Sequence, residues 1–308
     1  MMSLKMRLLY LGLVVLGALC VYFSTDSLTV LKQYFKRKNR AFLQLPDINC
    51  GQNPPFLVLL VTSSQDQAST RTIIRNTWGG TRTVLGRQVR AFFLLGRTPT
   101  QDMQARVAEE SRQHGDILQK DFVDVYANLT LKTMMGMEWV QHFCPEASFV
   151  MKTDSDMFIN VPYLVELLLR RNRTRRFFTG FLKMNELPIR AKYSKWFISR
   201  HEYPGDRYPP FCSGTGYVFS SDVAGLVFNV SENVPYIKLE DVFVGLCLQQ
   251  VGIVPEALHS QQTFFPEGLP FSICRFRRLV ACHHVKPQNI LRYWKALESS
   301  QGEKCPLA

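Results

Sequence analysis

The sequence predicts an α/β domain on a largely parallel sheet, carried behind one membrane-anchoring helix. Continuous apolar runs bounded by chain breakers, "PPFLVLLVTSS", "RAFFLLG" and "ASFVMK", alternate with helical patterns, as strands covered on both faces do. Strands alternating with helices build parallel crossovers. Near the N-terminus, "LLYLGLVVLGALCVYF" (8–23) runs sixteen residues without a charge.

That first segment is short for a spanning helix, which takes roughly 17–25 residues. With Ser24 and Thr25 in the interface it reads as an uncleaved anchor over 8–25, suited to a thinner internal membrane. A signal peptide is the rival, but large residues follow "GALC" where a cleavage site needs small ones. The organisation expected is a tail over 1–7, the anchor, a basic stem over 26–53 and a globular domain over 54–308.

Lys5 and Arg7 precede the anchor, whereas Lys32, Lys36, Arg37, Lys38 and Arg40 follow it, a distribution that by itself would place the bulk in the cytosol. Three N-glycosylation acceptors (Asn128, Asn172 and Asn229) and seven cysteines beyond the anchor point instead to the secretory lumen. Seven is odd, so at least one of those thiols lacks an intramolecular partner. The net charge of +12 suits anionic small molecules or acidic membrane surfaces. No aromatic-interleaved basic motif accompanies "RRNRTRR" or "RFRR", so nucleic acid is not an expected partner.

Along the domain, "QASTRTIIRNTWG" reads as a helix closed by Gly79, with Arg71 and Arg75 on one face. "NLTLKTMMGMEWVQHF" reads as an amphipathic helix whose apolar side carries Leu131, Met134 or Met135, Trp139 and Phe143. "YLVELLLRR" and "EDVFVGLCLQQVG" read as helices, "RFFTGFL" and "GYVFSS" as strands.

Chemistry concentrates in "FVMKTDSDMFIN" (149–160), where a buried strand ends in Lys152, Asp154 and Asp156. Ligands of open sheets bind beyond the carboxyl ends of parallel strands. Residues two apart in an extended turn point the same way, so both carboxylates can face one site. Two half-buried carboxylates cost several kcal/mol without a positive partner. A divalent cation carrying a diphosphate is the economical one. Arg71, Arg75, Lys132 and Lys152 are the basic groups that could meet the same phosphates. In "KLEDVFVG", Glu240 and Asp241 either cap a helix through its dipole or supply a general base. Gly214 and Gly216 in "CSGTGYVFS" allow close approach of a ligand. His283 and His284 are each a candidate third metal ligand.

The blocks "RTIIRNTWG", "DFVDVYANLTLKT", "FVMKTDSDMFIN", "FCSGTGYVFS" and "KLEDVFVGLC", in that order and spacing, resemble the beta-1,3-glycosyltransferases of the Golgi. The resemblance covers Pro54 to about Pro287. It implies a type II Golgi membrane protein whose luminal domain is of GT-A type and uses a UDP-sugar and Mn²⁺. By motif position it makes Asp154 and Asp156 the metal and UDP-sugar carboxylates, and His283 a further metal ligand beside His284. It likewise makes Asp241 the base, Glu240 an acceptor-orienting neighbour, and Arg71 and Arg75 nucleotide contacts. Within the family the blocks are most similar to members that move galactose from UDP-galactose onto terminal N-acetylglucosamine of glycoprotein or glycolipid glycans. An N-acetylglucosaminyltransferase on the same fold is the nearest rival, and a catalytically silent carbohydrate-binding protein the next.

Overall fold

In the computed structural model, residues 42–46, 48, 50–300, 302, 304 and 305 are described. The expected tail, anchor and most of the stem lie outside them. No helix of the described residues is long and apolar enough to cross a membrane. A compact unit runs from Leu43 to Ala308. Cys50 is disulfide-bonded to Cys144, so the end of the expected stem is tied to the domain.

The strands of the described residues are β1 (Phe42–Gln44), β2 (Leu57–Thr62), β3 (Arg82–Val84), β4 (Arg87–Arg97), β5 (Ile117–Val123), β6 (Phe149–Asp154), β7 (Phe158–Ile159), β8 (Phe178–Lys183), β9 (Phe211–Ser220), β10 (Phe264–Phe265) and β11 (Ala281–Cys282). The helices are α1 (Ala68–Arg75), α2 (Gln101–His114), α3 (Leu129–Phe143), α4 (Val161–Arg171), α5 (Ser221–Ser231), α6 (Glu240–Gln250), α7 (Ile273–Phe276) and α8 (Pro287–Ser299).

The large sheet has the order β1-β5-β4-β2-β6-β9-β8, with β3 paired to β4. Strands β5, β4, β2 and β6 are parallel, whereas β9 runs antiparallel to both β6 and β8. The α/β class holds, but the sheet is mixed rather than largely parallel. Apolar runs report burial on both faces, which β9 shares through its buried end at Tyr217–Ser220, and they carry no information on direction.

All six residues of β2 are buried, matching the unbroken apolar run that predicted it. Helix α1 ends at Arg75, with Asn76 as its cap, short of Gly79. Helix α3 buries Met135 and Trp139 of its expected face, but Leu131 and Phe143 are exposed, and Lys132, Thr133 and Val140 are buried as well. Lys132 and Thr133 are admitted to the buried side because each has a partner there, Asp124 and Glu240.

A small sheet, β10-β11-β7, brings the C-terminal region to the end of β6. Strand β11 pairs antiparallel with β7, so Cys282 lies opposite Phe158. It pairs in parallel with β10, so Cys282 also lies beside Phe265. A second disulfide joins Cys274 to Cys305, and Cys212, Cys247 and Cys282 are buried free thiols.

Candidate active site

A cavity of about 960 Å³ opens at the carboxyl ends of β2 and β6. The parallel register sets Thr62 beside Asp154, and the Thr62 hydroxyl donates to Asp154 Oδ1 at 2.6 Å. The buried Lys152 ammonium donates to the same oxygen at 2.8 Å and to the Gly214 carbonyl at 2.5 Å. It stands 3.5 Å from Glu240 Oε2. Lys152 is therefore the positive partner of Asp154. Burial would lower its pKa, but the charges of Asp154 and Glu240 outweigh burial and raise it.

One ammonium faces three carboxylates here. Burial, acting against their charged forms, pushes both Glu240 and Asp241 above the ordinary carboxylate range. Glu240 Oε1 accepts from the Tyr217 hydroxyl at 2.5 Å and from the Thr133 hydroxyl at 3.1 Å. Expected as an acceptor contact, Glu240 lines the cavity with Oε1 held in this way and Oε2 beside the Lys152 ammonium. Asp241 accepts from the Gly214 N–H at 3.1 Å and from the Val242 N–H at 2.9 Å. The Gly214 N–H of β9 and the Val242 N–H at the start of α6 aim the carboxylate and offset part of the burial effect. A Cβ at Gly214 would stand 2.9 Å from Glu240 Oε2, so a larger residue there would push that carboxylate aside. Gly216 lies one step inside, opposite Thr153, away from the cavity lining.

Asp156 is separate from this network. His283 Nε2 is 3.1 Å from Asp156 Oδ2, and His283 Nδ1 is 2.9 Å from the Pro266 carbonyl. A carbonyl only accepts, so Nδ1 carries a hydrogen and Nε2 is the atom turned toward Asp156. Burial would lower the pKa of His283, but the hydrogen bond and charge of Asp156 raise it. Asp156 is correspondingly lowered, against its own burial. Gly268, at φ +75°, turns the chain under this contact, and a Cβ on it would stand 2.9 Å from the His283 carbonyl. The His284 ring stacks on His283 at 3.8 Å, and one ligand atom from each of Asp156, His283 and His284 lies within 4.8 Å of the others. Asp154 is not in this cluster, because Thr62 and Lys152 already hold it.

Lys132 lines the cavity, buried between the Ser63 carbonyl at 2.6 Å and the Asp124 carboxylate at 2.5 Å. Burial lowers its pKa despite Asp124. Arg71 and Arg75 do share a face, but not that of the cavity. Arg71 is fully buried and pairs with Glu110 of α2 through Nε at 2.8 Å and Nη2 at 2.5 Å. Arg75 pairs with Glu110 and Asp116 at 2.7 Å each. The expected nucleotide contacts are thus spent on two acids behind the site. Arg71 reaches the wall only indirectly, donating at 2.5 Å to the Ser64 carbonyl.

Sequence reasoning missed Asp124, Tyr126 and Trp196, all of which line the cavity. Asp124 had a readable signal, standing in a quoted motif eight residues before Lys132. Trp196 had none, since it sits in an irregular loop between β8 and β9.

A galactosyltransferase family model matches residues 69–259. Human beta-1,3-galactosyltransferase 5 is 66% identical over 304 residues, covering 98% of each chain. The mouse protein of the same name is 62% identical and covers 99% of each. A solved structure of the bifunctional glycosyltransferase WbbM is 12% identical, covers 78% of this chain and 49% of its own, and has a TM-score of 0.39, too low to carry any inference.

Proposed function

The chain belongs to the beta-1,3-galactosyltransferase family, and from that premise we propose that it moves galactose from UDP-galactose, with inversion, onto the 3-hydroxyl of terminal N-acetylglucosamine on glycoprotein or glycolipid glycans. The observation that supports this reading best is the pairing in one cavity of a metal-type cluster, Asp156 with His283 and His284, and a separate raised carboxylate, Asp241. A binding protein has no use for the second.

Asp156 and His283, with His284 beside them, fit a divalent cation. The hydrogen on His283 Nδ1 is fixed by Pro266, so Nε2 can present a lone pair toward the Asp156 oxygen. The carboxylate oxygen suits a hard divalent ion such as Mn²⁺, and in this reading the imidazoles are further donors to it. A bound Mn²⁺ would supply charge neutralisation for the UDP leaving group. The chain's own residues do the rest. Lys152 pairs with Asp154 at the cavity wall and fixes the Gly214 backbone, whose N–H aims Asp241. Asp241 accepts the proton of the acceptor hydroxyl as its oxygen bonds to the anomeric carbon. The bond to UDP breaks with its electron pair going to the diphosphate. One displacement turns the alpha-linked donor into a beta-linked product, with no covalent carboxylate ester. Holding both substrates in one cavity supplies the proximity contribution.

The domain is of GT-A type in this reading, held by residues 8–25 in the Golgi membrane with its bulk in the lumen. Two disulfides are in keeping with that oxidising route. The test is a secreted fragment incubated with Mn²⁺ and, separately, UDP-galactose, UDP-N-acetylglucosamine and UDP-N-acetylgalactosamine. Beta-1,3-linked galactose on terminal N-acetylglucosamine, lost with chelator, is expected. Transfer of N-acetylglucosamine instead would move the reading to the rival specificity.

A further inference from the structure

In the cavity that Asp241 lines, two aromatic rings from separate segments stand half open to solvent. Tyr126 is 50% exposed and Trp196 47% exposed, and both line the cavity. Tyr126 sits in a single turn before α3, anchored where the Tyr236 hydroxyl donates to the Ala127 carbonyl at 3.1 Å. Trp196 sits in the long β8–β9 loop. That loop is internally braced: the Arg190 guanidinium donates to the carbonyls of Ile198, Tyr203 and Gly205, each at 2.9 Å. Lys195 joins the two rings, its Nζ lying 4.5 Å from the Trp196 ring centre and 5.8 Å from that of Tyr126. Asp241 lines the same cavity as Lys195 and the two rings.

Leaving both aromatic faces half-exposed forgoes part of the burial that is worth about 1.5–3 kcal/mol for a large apolar side chain. A flat, amphipathic surface with a cation beside it matches one face of a pyranose, where C–H groups stack and hydroxyls accept from an ammonium. We propose that Trp196, Tyr126 and Lys195 form the recognition platform for the terminal acceptor sugar: the rings stack its apolar face, and Lys195 donates to its hydroxyls. The inference rests on the transferase reading, in which Asp241 faces the acceptor, and it gives roles to residues that the sequence reading left without one.

Trp196 is the one exposed tryptophan of four, since Trp78, Trp139 and Trp294 are buried. Its emission should be quenched selectively by acrylamide. Methyl β-N-acetylglucosaminide should lower the quenching constant about twofold or more in the intact luminal chain, and UDP with Mn²⁺ alone should not. In steady-state assays Trp196→Ala should raise the acceptor KM tenfold or more while leaving the donor KM within twofold, and Trp196→Tyr should restore most of the loss. Quenching unchanged by the sugar, or a Trp196→Ala defect in donor KM alone, would overturn the platform. Because the quenching experiment needs no turnover, absence of transfer from any donor would count against the transferase reading and leave the platform to be judged by quenching.

Discussion

His283 Nε2 and Asp156 Oδ2 meet at 3.1 Å although 127 residues separate them in the chain. Strand β11 brings them together by pairing at once with β7, just after Asp156, and with β10, just before Pro266. The Val285 N–H donating to the Asp156 carbonyl at 3.0 Å closes the arrangement. If this contact is the cation seat, Asp156→Ala and His283→Ala should each weaken Mn²⁺-dependent UDP binding about 10–100-fold, the usual effect of disturbing a metal site. Calorimetry with and without Mn²⁺ checks it, and unchanged affinity in both variants would remove the cluster from the donor site. His284→Ala in the same series decides whether the second imidazole takes part.

The pH dependence of turnover follows from Asp241. Burial disfavours its ionised form, so its folded pKa lies above the ordinary aspartate value. A base works only when deprotonated, so kcat/KM should fall on the acid side with a midpoint above that of an unperturbed aspartate. Asp241→Glu should displace that limb, and a limb unmoved by it would mean another group titrates. The stability sign runs the other way. A raised carboxylate stabilises the fold below its unfolded pKa and loses that contribution as pH rises through the folded value. Neutral Asn at 241 should therefore keep or raise the melting temperature at pH 7.

Arg71 and Glu110 separate a structural role from a nucleotide contact. Arg71→Met leaves Glu110 with Arg75 alone and should destabilise by about 3–5 kcal/mol, the cost of breaking a buried pair. A nucleotide contact would instead lower UDP affinity with the melting temperature unchanged. Burial would raise Glu110, but the two arginines outweigh it and lower its pKa. Its stabilising contribution is thus present above the unfolded glutamate pKa and fades as pH falls through the lower folded value.

The three glycosylation acceptors differ in their surroundings. Asn172 caps α4 in the left-handed region and is exposed, and Asn229 is exposed on α5. The Asn128 amide donates to the Val123 carbonyl at 2.8 Å, and the hydroxyl of its partner Thr130 donates, buried, to the Ile237 carbonyl at 2.9 Å. Protein from animal cells should lose mass with peptide-N-glycosidase. Asn172→Gln and Asn229→Gln should each remove one glycan, and Asn128→Gln none. A shift with Asn128→Gln alone would contradict this ranking.

Much of this architecture was legible in the residues. Strands β2, β4 and β6 announce themselves because full burial demands unbroken apolar runs, and "MKTDSD" at the end of one marks the site. Strand direction was not legible, which is why β9 against β6 makes the sheet mixed. The apolar pattern of α3 finds Met135 and Trp139 but not the whole buried face, because Lys132 and Thr133 are buried with partners, Asp124 and Glu240, that lie elsewhere in the chain. Arg71 and Arg75 were rightly placed on one face, but spacing cannot say that Glu110 on α2 waits there. Lys152 was weighed as a partner of the aspartates, yet its contact with Gly214, 62 residues away, exists only in the fold.

The central claim is that Asp241 is the base of a transfer carried out in this cavity. Asp241→Asn, measured in parallel for UDP binding by calorimetry and for galactose transfer to terminal N-acetylglucosamine, tests it most directly. UDP affinity within about twofold of the parent, with turnover reduced by roughly 10²–10⁴ or more, is the expected result. Parental turnover in Asp241→Asn would contradict it.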